Sequence, residues 1–306
     1  MAAQALRFAF LGIGPMGEGM SENLIAKGNL QTPLILWNRT KERAIELSKR
    51  VGNSIVADSL KDTVPRADVL WMCFQDEAAV VEIMDELLTT NVAGKLFVDS
   101  STISPSATNE LASRVINAGA EFVAVPVFGD PSMAKIGALT LIPAGNPESV
   151  SRILPYLGGV VGRAVVDLSG EKPGQASLLK FIGNVLIMTS IEVAAEMNVF
   201  AEKTDLGAHN ILKLFEALMP GSPHVVHTKQ MISGDYHKHK PGVPVAHAIG
   251  LTSKVQELAH SKGVSLKAYE VAVNHLKDVE AHVGSSGGIF SIYGVVRKEG
   301  GLPFEN

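Results

Sequence analysis

Residues 12–17, Gly-Ile-Gly-Pro-Met-Gly, constrain the fold more than any other stretch of the chain. They follow the apolar run Leu6-Arg7-Phe8-Ala9-Phe10-Leu11 and open a helical pattern that runs on to Gly28. Glycines at this spacing, between an apolar strand and a helix, bring a dinucleotide pyrophosphate onto a helix N-terminus. Gly12 permits the tight turn, Gly14 lets the phosphates approach the backbone, and Gly17 allows the helix to pack closely on the strand. Ile13, Pro15 and Met16 complete the turn, whose first helical N–H groups have no intrahelical partner and face the anion.

The rest of the first half agrees with such a unit. From residue 6 to 168, short apolar runs (PLILWN, DVLWMCF, KLFVDSS, EFVAVPV, ALTLIPAG, RAVVDL) alternate with amphipathic segments such as TKERAIELSKRV and DEAAVVEIMDELL. That alternation predicts a mostly parallel sheet covered on both faces, an α/β Rossmann domain over 1–168. After Asp167 the breaker-rich LSGEKPG leads into patterns that read as helix: a long segment over 175–203, then 208–218, 245–262 and 266–282. An all-α domain over 169–306, entered by a long interdomain helix, is expected. The Gly-, Pro- and His-rich stretches MPGSPHVVH and GDYHKHKPGVP read as loops between its helices.

A length of 306 residues suits two domains of roughly 150 residues each. A formal net charge of −4 argues against a nucleic-acid partner, which selects basic patches. The single cysteine, Cys73, excludes an intramolecular disulfide framework and suits a reducing, cytoplasmic setting. The opening MAAQALRFAFLGIG reads as a first strand running into the glycine turn, with no leader expected. The apolar stretch Phe181–Phe200 approaches membrane-spanning length but contains Asn184, Glu192, Glu196 and Asn198, so a helix buried on all sides is expected and no membrane contact. Its apolarity exceeds what one neighbour would cover, which predicts a homodimer or a dimer-based oligomer. No metal site is expected: the histidines of HVVH and YHKHK have no cysteine or carboxylate at ligand spacing, and lysines lie between them.

The second strand ends in Trp37-Asn38-Arg39-Thr40, about twenty residues past the last glycine, where an NAD site usually places Asp or Glu to hold the ribose 2′-hydroxyl. Asn38 carries no charge to repel a 2′-phosphate, and Arg39 and Thr40 can donate to one. NADP is the expected cofactor, with NAD as the alternative.

Between Lys172 and Glu192 the only formally charged residue is Lys180. Burial lowers a lysine's pKa towards the range useful for proton transfer, and Asn184, at i+4, leaves the same helix face. An amine beside an amide suits alcohol–carbonyl redox chemistry. The other reading is a lysine that snorkels to the helix edge.

Taken together, these motifs resemble the β-hydroxyacid dehydrogenases, the group of 3-hydroxyisobutyrate dehydrogenase and glyoxylate/succinic semialdehyde reductase. GIGPMGEGMSENLIAKG resembles the family's glycine motif, DSSTISPS (Asp99–Ser106) its substrate segment, and GEKPGQASLLKFIGN (Gly170–Asn184) its catalytic segment. The resemblance implies a catalytic group of Lys180 as acid/base, Asn184 as its orienting partner and Ser101 on the substrate carboxylate. It also implies that Thr102, Phe74 and Lys254 meet the cofactor. One segment departs. Where the family reads close to DAPVSGG and cradles the substrate carboxylate with a serine and backbone amides, this chain has Ala124-Val125-Pro126-Val127-Phe128-Gly129-Asp130. Gly129 is kept, Phe128 replaces the serine and Asp130 replaces a glycine. Either these two side chains face the substrate, where Asp130 would repel a carboxylate, or both point away and only the Gly129 amide counts.

The expectation is an NADP-dependent oxidoreductase interconverting a small β-hydroxy acid and its semialdehyde or keto acid. An imine reductase of the same architecture is the alternative, since Asp130 would tolerate a cationic iminium. A non-catalytic dinucleotide-binding module is a second alternative, although such a module would be expected to lack the lysine.

Overall fold

Phe8, Ala9, Phe10 and Leu11 are all buried, and they divide between two cores. In a strand successive side chains leave opposite faces, so a run buried on both faces must lie inside a covered sheet. β1 (Phe8–Leu11) is that central strand. Ala9 and Leu11 join one core with Val80, Ile83, Met84 and Leu111, whereas Phe8 and Phe10 join another with Met20, Leu24, Ala44 and Leu47.

The computed structural model describes residues 6–306, the side chain of Ser286 excepted; residues 1–5 of the opening segment, where no leader is expected, lie outside the described residues. After β1 come α1 (Pro15–Lys27), β2 (Leu34–Trp37), α2 (Lys41–Val51), β3 (Ser54–Val56) and β4 (Val69–Met72). Then follow α3 (Glu77–Leu87), β5 (Leu96–Asp99), α4 (Pro105–Asn117) and β6 (Glu121–Ala124). These six strands lie in the order β3-β2-β1-β4-β5-β6, all parallel. This is the doubly wound order, whose topological switch lies between β1 and β4.

β7 (Val127–Phe128), α5 (Pro131–Ile136), β8 (Leu139–Leu141), β9 (Ala144–Gly145), α6 (Pro147–Ile153), β10 (Gly162–Val165) and β11 (Leu168–Ser169) complete the sheet region. β9 pairs antiparallel with β6 and carries β11 on its far side, while β7, β8 and β10 form a separate three-stranded sheet. The long helix α7 (Pro173–Lys203) follows. The chain divides within it: one compact unit extends to Lys180 and the other is Phe181–Asn306. The first turns of α7 belong with the sheet because Ala176 is fully buried in the core that Phe97 and Leu111 share. The compact units thus part some way beyond the breaker-rich junction near residue 168.

The second unit is helical: α8 (Ala208–Leu218), α9 (Pro223–Ile232), α10 (Asp235–Lys238), α11 (Val245–Ser261), α12 (Lys267–Val283) and α13 (Ile292–Glu299). Two sequence expectations need correction here. HVVH lies within α9 and the first three residues of YHKHK within α10, while His239 and Lys240 remain outside the helices. Ser222 and Pro223 start α9, which buries Val225, Thr228 and Met231 at helical spacing, and His227 is buried with them. That period, hidden among glycines and prolines, outweighs the composition. Nor is α7 buried all round. Ile191, Ala194 and Ala195 are fully buried, but Ile182, Leu186, Val193 and Phe200 are exposed, Phe200 by 72%.

One polar cluster joins three helices of this unit. His275 on α12 lies with Nδ1 2.8 Å from Glu192 on α7 and Nε2 3.2 Å from Glu299 on α13. The bond to Glu192 and the two carboxylate charges outweigh the opposing effect of burial and raise the imidazole from its ordinary 6.5 to about 9. A raised pKa means the charged form favours the fold. The contribution is complete below pH 6.5 and is lost as pH rises through about 9. Thermal melts across pH 6–10 should therefore show a fall in Tm over that window, and His275→Gln should flatten it; an unchanged profile in the variant would refute the assignment.

Candidate functional site

At the carboxyl ends of β1 and β4 the glycine turn is built as its spacing requires. Gly12 adopts φ +100°, and its N–H donates to the Trp37 carbonyl at 2.9 Å. A side chain at Gly12 would collide with the Cys73 carbonyl, and the Phe74 ring stands 3.0 Å from where its Cβ would be. Gly17 faces the Gly12 carbonyl so closely that no Cβ fits. A Cβ at Gly14, by contrast, would meet nothing within 4 Å. Gly14 is also the N-cap of α1, with no side-chain cap, and Pro15 occupies the first turn. An open approach to uncapped amides at the positive end of a helix fits a pyrophosphate.

Asn38 has a role that spacing did not suggest. Its Oδ1 accepts from the Ile13 N–H at 2.8 Å and its Nδ2 donates to the Thr40 carbonyl at 2.9 Å, so the carboxamide ties the glycine turn to the end of β2. The next two residues remain open. The Arg39 side chain is 80% exposed, with only a 3.8 Å pairing to Glu82, and Thr40 caps α2 without using its hydroxyl. No carboxylate stands at residues 37–40 to receive a ribose 2′-hydroxyl.

At the end of β5, Asp99 is buried, and desolvation is the largest cause of its carboxyl rising to about 6. Ser101 works against that rise: its N–H donates to Asp99 Oδ1 at 3.0 Å, and its hydroxyl also favours the charged carboxylate. The same hydroxyl accepts the Phe74 N–H at 2.9 Å. Ser101 is thus buried and turned inward, tying the end of β5 to the residue that packs on the glycine turn. Thr102, half-buried, follows it. The neighbouring Cys73 thiol is pushed up to about 12 by burial and by Asp99, which leaves it inert at neutral pH.

Lys180 sits where the last turn of α7 within the first unit meets β7. It is 9% exposed, and its Nζ lies 4.1 Å from the centroid of the Phe128 ring. Burial alone lowers its ammonium from 10.5 to about 7. It is therefore a desolvated amine and does not snorkel into water. Its register is set at the start of α7, through residues that carried no sequence signal. The Gly174 N–H donates to Asn109 Oδ1 at 2.9 Å, and the Ser177 and Thr108 hydroxyls bond at 2.7 Å, fastening α7 to α4. A side chain at Gly174 would lie 2.5 Å from the Pro105 carbonyl, so this junction accepts only glycine.

The departures at 128–130 also resolve. Asp130 turns into its own chain: Oδ1 accepts from the Ser132 N–H at 2.8 Å, the Met133 N–H at 3.0 Å and the Ser132 hydroxyl at 2.6 Å, capping α5. Gly129 adopts φ +131°, a backbone conformation that residues with a Cβ rarely take, which accounts for a glycine at this position. Phe128 does not point away; it lies against Lys180.

Of the sequence-predicted residues, the first unit links the glycine turn, Asn38, Phe74 and Ser101 in one chain of contacts and pairs Phe128 with Lys180. Asn184 and Lys254 belong to the second unit. Asn184 Nδ2 is buried without a hydrogen-bond partner, and Lys254 is exposed on α11. Among the described residues no cluster of His, Cys, Asp or Glu could hold a metal ion.

A doubly wound sheet with an open glycine turn at its switch point, and a buried amine in the same unit, defines a nicotinamide-dependent oxidoreductase. Residues 7–170 match the family model described as the NAD binding domain of 6-phosphogluconate dehydrogenase, and the chain belongs to that family. It is 46% identical over 289 residues to the NADH-dependent oxidoreductase ucdB of Aspergillus ustus, covering 94% of this chain and 98% of the relative. Its fold matches 3-hydroxyisobutyrate dehydrogenase of Mycobacterium tuberculosis with a TM-score of 0.82 and 20% identity, over 96% of this chain and 100% of the other. An imine reductase from Pseudomonas sp. shares the fold at a TM-score of 0.62 and 16% identity, over 95% and 99% of the two chains.

Proposed function

We infer that the chain moves hydride reversibly between a nicotinamide dinucleotide and a carbonyl carbon, with Lys180 as the group that gives the oxygen its proton. The observation that carries this reading is the burial of Lys180 with its ammonium lowered to about 7, so that both protonation states are populated near neutral pH. The bound cofactor supplies the hydride. The uncapped start of α1 would hold its pyrophosphate, with Gly14 giving room and Phe74 packed behind the turn. In reduction the Lys180 ammonium donates to the developing alkoxide; in oxidation the neutral amine removes the hydroxyl proton. Asn184, whose buried Nδ2 has no partner within the protein, is assigned to hold a substrate oxygen.

The resemblance implies a small β-hydroxy acid and its semialdehyde or keto acid as the pair. Delivery of hydride to carbon and a proton to oxygen is the same whichever substituents that carbon carries. The imine reading loses its main support, because the Asp130 carboxylate that would favour an iminium is spent on the start of α5.

For the cofactor we favour NADPH, because no carboxylate ends β2 and the exposed Arg39 guanidinium, held only by a 3.8 Å pairing to Glu82, can turn to a 2′-phosphate. The Aspergillus ustus relative is named for NADH, so side-by-side kinetics with both cofactors are decisive. Arg39→Ala should raise KM for NADPH about tenfold, the loss of one charge-assisted contact worth about 1.5 kcal/mol, and leave NADH unchanged. A wild-type preference for NADH would overturn the assignment.

Lys180→Met should lower kcat for carbonyl reduction at least about a hundredfold while NADPH binding, followed by fluorescence, is retained. In the wild type the rate of reduction should fall as pH rises through about 7, and that of oxidation should rise over the same range. Undiminished turnover in the variant would remove Lys180 from the reaction.

A further inference from the structure

Three features of the first unit bear on the group that the substrate presents beside the proton donor, an inference that rests on the reading of Lys180 given above. First, Phe128 stands where the family has a carboxylate-binding serine, and its ring occupies the space under Lys180 Nζ at 4.1 Å. An aromatic face there donates no hydrogen bond. Secondly, Asp130 has taken the place of a glycine, and its carboxylate already accepts the Ser132 and Met133 amides. The Ser132 and Met133 N–H groups at this turn are thus filled by the chain's own anion. Thirdly, the Ser101 hydroxyl is buried and accepts the Phe74 N–H, so it is already held within the first unit. A substrate carboxylate in this unit would find an apolar ring, a like charge and a hydroxyl already committed. Desolvating it there, against an aromatic face and beside a like charge, would be unfavourable.

We propose that Phe128 is the specificity-determining residue of this oxidoreductase, and that its substrate is an uncharged carbonyl compound that lays a flat, apolar group, aromatic or conjugated, on the Phe128 ring. The ring serves twice: it stacks on the substrate's planar face and it keeps water from the lysine that protonates the oxygen. The step balances without a further reagent. The carbonyl π bond breaks, the hydride of the dihydronicotinamide forms the new C–H bond, and the Lys180 proton forms the O–H bond. An alcohol, an oxidised nicotinamide and a neutral lysine remain.

The test uses two probes that share one ketone and one phenyl ring and differ in charge: methyl benzoylformate and the benzoylformate anion, each with NADPH and with NADH. The full-length protein should reduce the ester with a kcat/KM at least about tenfold above that of the acid. Phe128→Ser, which restores the family's residue, should bring the ratio down about tenfold or invert it, whereas Phe128→Leu should keep the neutral probe ahead. Inhibition by the corresponding alcohols, mandelate and methyl mandelate, should follow the same order in the cofactor-loaded protein, which reads binding apart from turnover. Wild-type preference for the acid, equal use of both, or a ratio unmoved by Phe128→Ser would overturn the proposal even if Phe128→Ser were the only variant to fold. Reduction of anionic carbonyls alone would leave the role of Lys180 standing and remove only the substrate class. Reduction of no carbonyl probe with either cofactor would remove both.

Discussion

The chemistry proposed for this molecule depends on one charge being kept out of water. A lysine ammonium against an aromatic ring, without a carboxylate, is held in its charged form only by the weak attraction of the ring's π face. That attraction does not make up for lost hydration, so the proton is loosely held. The Phe128 ring supplies only part of the cover. The rest follows from α7 entering the first unit through Gly174, Ala176 and Ser177, a small-residue surface that lets the helix lie close to α4. The bonds to Asn109 and Thr108 then fix its rotation. Any loosening of that junction would let water reach the amine and return its pKa towards 10.5.

The cofactor side shows a second economy. Asn38 works as a structural strut, Phe74 as a wall, and Ser101 as the link between that wall and Asp99. These side chains are bound to one another, so the turn that receives the pyrophosphate is shaped before any ligand arrives. Pre-organisation of this kind spares the ordering cost on binding.

Most of the fold could be read in the sequence, because its signals are local. The glycine turn declares itself by spacing, the sheet by apolar runs buried on both faces, and Lys180 by being the one charge in an apolar segment. Three things could not be read. The helices at 223–238 were masked by glycine, proline and histidine, residues whose local preference for turns was overruled by burial of Val225, His227, Thr228 and Met231. The exposure of Ile182, Leu186 and Phe200 depends on which side of α7 its neighbours occupy, and an all-apolar segment contains no phase. The orientation of Asp130 is a matter of one side-chain torsion: the same residue at the same place either faces a substrate or caps its own helix. At the site itself, the lone lysine of the apolar segment was therefore legible and the shape of its surroundings was not.

The central claim is that Lys180 is a desolvated amine poised near neutrality, and the most direct measurement is its own titration by NMR in protein labelled with nitrogen-15 at lysine, assigned by the loss of the signal in Lys180→Met. The account predicts a midpoint near 7 for this lysine. A midpoint close to the ordinary 10.5 would mean that water reaches the amine, and would contradict both the proton-transfer role and the part given to Phe128.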